Sequence, residues 1–243
     1  MRIVDAIWEK RNLGVSSLEI NIEDGDSVDD CLKRLKKQQA DYIVVKIPTK
    51  MSEFVFFIQE LGFVYIEDMV HLVSDLRMSE RTALEERMYN SVTTQIMDES
   101  DVENLLIEVK KGLFDTDRIS LDPFFTKEQA TNRYVNWIKD ERSRGTVYFN
   151  YIYKGNKVGF VSLREEKDGV YSSVLGGIYP EYRNSAIGAV VKVVDIVRSY
   201  GGKKIETNVS TNNPAQIRNL IKSGFMPTEI VHVFVLHGGL QDE

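Results

Sequence analysis

The sequence predicts a mixed α/β protein built in two unequal parts, a smaller α/β half over residues 1–88 and a larger one over 89–243. Three observations carry this. Short apolar runs of strand length alternate with runs of helical spacing along the whole chain. Glycine or proline punctuates the junctions, as at Gly62, Gly145, Pro214 and Gly224. A charged segment, "SDLRMSERTALEERMY" (74–89), separates the halves and reads as a linker or connecting helix.

In the first half, "SVDDCLKRLKKQQ" reads as a helix. Ser27 is placed to cap it, Asp29 and Asp30 lie in its first turn, and basic residues crowd its end. The strand "DYIVVKIP" follows, then the helix "MSEFVFFIQELG" stopped at Gly62, then the strand "FVYIEDMVHLV". The second half opens with a strand and a helix that carries Leu105, Leu106 and Val109 on one face. A longer helix follows, capped by Thr126 and stopped near Gly145. Three strands joined by short turns come next, then Ile187, Val190, Val191, Val194 and Val197 at helical spacing. The strand "KKIETNVS", the helix "NPAQIRNLIKSG" and the strand "FMPTEIVHVFVLH" complete the order. A weak repeat accompanies it: "FIQELGFVYIE" (57–67) aligns without gaps on "NLIKSGFMPTE" (219–229), placing Gly62 on Gly224 and Phe63 on Phe225.

The composition narrows the function. The 243 residues, 42% hydrophobic and 28% charged, suffice for a sizeable core. A net charge of −6 argues against a general binder of nucleic acid or anionic membrane, which needs a basic face. One cysteine and three histidines leave little stock for a disulfide or a metal centre, and no metal is expected. No secretory leader or membrane-spanning run is apparent, so the expected location is the cytoplasm.

The stretch "PEYRNSAIGAVVKVV" (180–194) places Arg183, Asn184, Ser185, Ala186, Ile187, Gly188 and Ala189 between a strand and a helix. Backbone N–H groups and the positive end of a helix dipole would then converge on one point, an arrangement suited to a phosphate. A polar start to a helix with no ligand explains the same residues. Neither G-x-G-x-x-G nor the P-loop pattern is present.

These residues resemble the cofactor motif of the GNAT superfamily of N-acetyltransferases, Gln/Arg-x-x-Gly-x-Gly/Ala after a strand ending in apolar-x-Pro. Here Ile178, Tyr179 and Pro180 precede Arg183 to Gly188, and Ala186 replaces the usual glycine. A second motif, Asn followed eleven residues later by Gly-Phe, is matched by Asn213, Gly224 and Phe225, although Asn213 before Pro214 is also an apt helix cap. Within the superfamily the chain is similar to the dTDP-fucosamine (dTDP-4-amino-4,6-dideoxygalactose) acetyltransferase group. "WEKRNLG" (8–14), "ELGF", "VSLRE" (161–165) and "IKSG" carry that likeness, with Arg118, Pro123, Phe124 and Phe125 of "DRISLDPFF".

The resemblance implies the GNAT acyl-CoA N-acyltransferase fold, a mixed central sheet preceded by a smaller GNAT-like half domain. It also implies acetyl-CoA as donor, bound by 183–189 and Asn213, with a free N–H near Ile178 holding the thioester oxygen. Gly176 and Gly177 would let their strand bulge or splay. The family often has an acidic tyrosine four residues before the glycine of Gly-Phe; this chain has Leu220. His232 and Glu165 are the candidate acid and base, with Tyr179 and Tyr182 as further options. Arg118, Arg133 and Arg164 could recognise a diphosphate and Phe124 and Phe125 a base, which points to a small amine, preferentially a nucleotide-linked amino sugar. A peptide, polyamine or antibiotic amine is the alternative acceptor, and a catalytically inactive CoA-binding module the alternative function. The reading also admits a homodimer.

Overall fold

The computed structural model of the chain describes residues 1–77, 79–183, 185, 187 and 190–239. The first half runs β1 (Arg2–Asp5), α1 (Ile7–Leu13), β2 (Ser17–Asn21), α2 (Val28–Leu35), β3 (Tyr42–Pro48), α3 (Ser52–Glu60) and β4 (Val64–Ser74). The second begins with α4 (Ala83–Ser91), β5 (Val92–Ile96), α5 (Glu99–Lys110), a one-turn α6 (Arg118–Leu121) and α7 (Lys127–Ser143). It continues through β6 (Val147–Tyr153), β7 (Asn156–Lys167), β8 (Val170–Ile178), α8 (Val193–Ser199), β9 (Lys204–Ser210), α9 (Pro214–Lys222) and β10 (Met226–His237).

Local chemistry accounts for most of these boundaries. Ser27 accepts the Asp30 N–H at the start of α2, and Thr126 and Gln129 form a reciprocal capping box on α7. The charged segment 74–89 is divided: Thr82 and Glu85 make a capping box, and α4 starts only there. The helix expected from Ile187 begins at Val193. Ile187, Val190 and Val191 precede it and are nevertheless buried in the core.

All ten described strands form one sheet, in the order β1-β2-β3-β10-β4-β9-β8-β7-β6-β5. The halves are therefore interleaved. β10, from the second half, lies between β3 and β4 of the first, and β4 lies between β10 and β9.

The order has an internal two-fold. β3 maps on β9 with an offset of 162 residues (42 to 204, 48 to 210), and α3 on α9 with the same offset (52 to 214, 60 to 222). At the centre Met69 pairs with Val231, its own equivalent under that offset. The flanking ladders repeat it, since Met69 pairs with Ser210 where Val231 pairs with Pro48. The repeat visible at Gly62 and Gly224 is thus one of structure. Both glycines end their helices at positive φ, +85° and +92°, and both following phenylalanines are buried.

Helices cover both faces. On the first half, Ile43, Val45, Ile47 and Phe234 pack with residues of α2 and α3, and Tyr42, Val44, Val233 and Val235 with Leu13, Ile119 and Ala130 on the other side. On the second half, α5 and α7 pack over Tyr148, Phe160 and Leu175, and α8 and α9 over Val161, Ile205 and Val209. No helix among the described residues is long and apolar enough to cross a membrane.

Candidate active site

β8 and β9 are parallel neighbours for three positions only, and the ladder ends at Ser172 opposite Glu206. Beyond it the strands part, and their facing edges open on a cavity of about 240 Å³. β8 bulges against β7 between Ser173 and Gly176. The Ser162 hydroxyl sustains this bulge, accepting the Leu175 N–H (2.9 Å) and donating to the Leu175 carbonyl (3.0 Å). Close backbone approach fixes the neighbouring turn of the ladder: a Cβ on Gly159 would lie 2.4 Å from the Gly177 carbonyl oxygen.

One end of the cavity is apolar, lined by Val161, Val190, Val209 and Leu220. The Tyr151 side chain also reaches this end; its oxygen accepts the Lys192 N–H (3.3 Å), and burial raises its pKa, so the phenol keeps its proton. The other end is polar and is walled by residues from both halves of the chain. Lys46 and Glu67 come from β3 and β4, Asp117 and Arg118 from the α6 turn, and Arg133 from α7.

Glu67 is 3% exposed. Its Oε1 accepts the Arg118 N–H (3.2 Å), while Oε2 accepts no hydrogen bond. Burial raises its pKa above the usual carboxylate range and the Asp117 charge adds to this, against the nearby Ser210 hydroxyl and Arg118. A buried carboxyl whose proton is held more tightly than usual is a candidate for a general base. Behind it, the Arg118 guanidinium contacts Glu19 (2.5 Å) and Glu9 (3.4 Å), and Arg133 Nε contacts Glu9 (2.7 Å). Burial opposes ionisation of Glu19, but Arg118 and Lys46 outweigh it and hold its pKa down at about 2.

Of the residues singled out in the sequence, Ile178, Asn213, Arg118 and Arg133 line the cavity, as do Gly176 and Gly177. Asn213 also caps α9 through the Gln216 N–H (3.2 Å). Arg183 donates to the carbonyls of Gly112 (3.1 Å) and Leu113 (2.5 Å), Ser185 donates to the Tyr182 carbonyl (2.6 Å), and Ile187 is in the core. Asn184, Ala186, Gly188 and Ala189 lie outside the described residues.

The remaining candidates do not meet at the cavity. His232 sits opposite Asp68 in the β10–β4 ladder and pairs with its carboxylate at 2.7 Å, whereas the next pair, Val233 opposite Glu67, faces the cavity. Strand alternation sends the two pairs to opposite faces. Glu165 is exposed on β7, opposite Tyr171. Arg164 is held by Glu141 (2.5 Å) and Glu166 (2.8 Å). Phe125 packs edge-on against Tyr42, Phe124 stacks on His237, and Tyr179 is buried beneath α5 and α7. Glu67, Asp117 and Tyr151 were not anticipated. The available signal was a carboxylate inside the apolar run "VYIEDMV".

No family model and no curated protein gives a significant match to the sequence. Solved structures do match. A GCN5-related N-acetyltransferase from Sphaerobacter thermophilus superposes with a TM-score of 0.59 at 12% identity, over 97% of this chain and 75% of that one. A second, from Kribbella flavida, gives 0.54 at 13% identity, over 92% and 82%. The chain has the GNAT fold. A tandem GNAT protein from the clavulanic acid biosynthesis pathway gives 0.51 at 14% identity, over 83% of this chain and 65% of that one. In the terms of that fold, the larger half supplies the parted strands, and the smaller half adds Lys46 and Glu67 to the polar end of the cavity.

Proposed function

We propose that the chain is an N-acetyltransferase that moves the acetyl group of acetyl-CoA to a small amine. One observation carries this reading: a single cavity joins the open edge of β8 to a buried carboxylate, Glu67, that has a free oxygen.

The cavity residues fit an acyl thioester. The β8 edge beyond Ser172 has no strand partner on the cleft side, so its N–H groups can stabilise an oxygen on which negative charge develops. Gly176 and Gly177 keep that edge low, and the apolar walls suit the donor's arm. Acetyl-CoA supplies the activated acyl group, Glu67 takes the amine proton, and Tyr151, the cavity-lining phenol at the apolar end, can protonate the departing thiolate where the chain has Leu220. Leu220 itself is buried in the core beside the cavity.

The finer reading, a nucleotide-linked amino sugar, finds less support. A diphosphate needs uncommitted cations, and Arg118, Arg133 and Arg164 each already contact a carboxylate. A small amine without phosphate fits the site better.

The direct test is thiol release from acetyl-CoA in the presence of primary amines, followed by mass spectrometry of the acetylated product. Saturable turnover that falls at least about 10²-fold in Glu67→Gln is expected. Stabilisation of the fold by acetyl-CoA with no turnover on any amine would leave a CoA-binding module.

A further inference from the structure

The polar end of the cavity holds a second carboxylate with an oxygen that accepts no hydrogen bond. Asp117 caps α6 through Oδ1, which accepts the Ser120 N–H at 2.8 Å. Its buried Oδ2 accepts no hydrogen bond; Arg133 Nη1 stands 4.0 Å away and the Tyr134 side chain is close by. Glu67 is divided in the same way, with Oε1 on the Arg118 N–H and Oε2 free. Both residues line the cavity, and Asp117 acts on Glu67 as a like charge. A buried donor without a hydrogen bond, Arg118 Nε, also lies here and has the Tyr42 hydroxyl beside it.

A buried acceptor left without a hydrogen bond is unfavourable, and more so where the group is charged. Two such oxygens on one cavity call for a partner that has several N–H donors and a positive charge. The charges around them agree. Glu9, Glu19, Glu67 and Asp117 face Lys46, Arg118 and Arg133, four carboxylates against three cations. One added positive charge closes the balance. An anionic group on the acceptor would reopen it, because all three cations already contact carboxylates.

We infer that the acceptor is a small primary amine that enters as its ammonium, is held between the side chains of Glu67 and Asp117, and carries no anionic group beside the amine. This rests on the acetyl-transfer reading. Glu67 takes one ammonium proton, and the freed nitrogen lone pair bonds to the acyl carbon. The carbon–sulfur bond breaks and the sulfur leaves with the bonding pair, to be protonated as the free thiol. The nitrogen loses a second proton to become the amide, so one proton is released for each acetyl group moved. Asp117 does none of this chemistry; it selects and positions the cation.

Asp117→Asn is a clean test. Asparagine is as good a helix cap, so the Ser120 contact survives, while the freed oxygen becomes a donor that repels an ammonium. The full-length protein would be titrated calorimetrically with propylamine and tyramine, and with their α-carboxylated counterparts 2-aminobutyrate and tyrosine; turnover would be measured on the same set. The simple amines are expected to be preferred by at least about tenfold. In Asp117→Asn their KM and Kd should rise about tenfold or more, with the loss falling on KM rather than kcat, and the preference over the carboxylated amines should shrink. Binding of the amines that depends on Asp117, without acetyl transfer, would support the ammonium site and sink the acetyl-transfer reading. A preference for the carboxylated amines, no amine binding, or amine affinities within twofold of the parent in Asp117→Asn would overturn the inference. Thermal unfolding of the variant checks that the fold is kept.

Discussion

The two structural repeats share a backbone plan and differ in what their strands do at the open end. In the first, β2 stays paired with β3 over five positions, and the Ile22 N–H extends the contact to the Lys46 carbonyl. In the second, β8 leaves β9 after three positions and a cavity opens between them. The connections diverge as well. The turn after β2 carries Glu23, Asp24 and Asp26 and binds the chain's own N-terminal ammonium, so it would repel a phosphate. The corresponding stretch after β8 is rich in small residues and contains Arg183. A duplicated plan has therefore kept one cleft, and the closed repeat contributes side chains to its neighbour's site. Glu67 reaches the cavity only because β4 has been drawn between β10 and β9.

That division of labour can be broken from the closed repeat. Glu19→Gln removes one anionic partner of buried Arg118 and should cost about 3 kcal/mol of stability, measured by urea unfolding at neutral pH. Because Glu19 has a folded pKa of about 2, below its ordinary value of 4.5, its contribution is complete above pH 4.5 and is lost as pH falls towards 2. The parent and Glu19→Gln should therefore converge in stability across that window.

Next in size is the effect on turnover. Glu67→Gln is expected to lower kcat by about 10² or more while leaving acetyl-CoA affinity intact, and to abolish the acidic limb of the pH–rate profile. The same substitution should slightly stabilise the fold. A carboxyl whose folded pKa is raised contributes stability that is lost as pH climbs through that pKa, so glutamine gains at pH 8 and not at pH 4. A rise of about 2–4 °C in Tm would correspond to about 1 kcal/mol.

The smallest effect sharpens the comparison from the open repeat. Tyr151→Phe removes the cavity phenol and leaves the ring, and about a tenfold fall in kcat with unchanged KM is expected if it protonates the thiolate. An unaltered rate would leave the thiolate to depart unassisted.

The sequence disclosed the local rules. Helix caps at Ser27, Thr126 and Asn213, helix stops at Gly62 and Gly224, and the bulge beside the Gly176–Gly177 pair all follow from neighbours in the chain. The GNAT fold was legible for the same reason, because its element order is a linear pattern. The polar end of the site was not. Glu67 and Asp117 are brought to one cavity by strand interleaving, and no local spacing encodes that. His232 shows the limit from the other side: it has the right chemistry for a base, yet one residue of register separates it from the face that lines the cavity.

The interleaving also sets a schedule for folding. The slot between β3 and β4 stays empty until β10, about 150 residues downstream of β4, arrives to fill it. Until then the edges of β3 and β4 that flank the slot are unpaired, each a template for misassociation with another chain. Such long-range pairing is slow, because a large loop must close before it is rewarded. A nascent chain stalled before β10 is accordingly the form most exposed to aggregation and to capture by chaperones, and the cavity that Val233 of β10 helps to line forms only once β10 has docked.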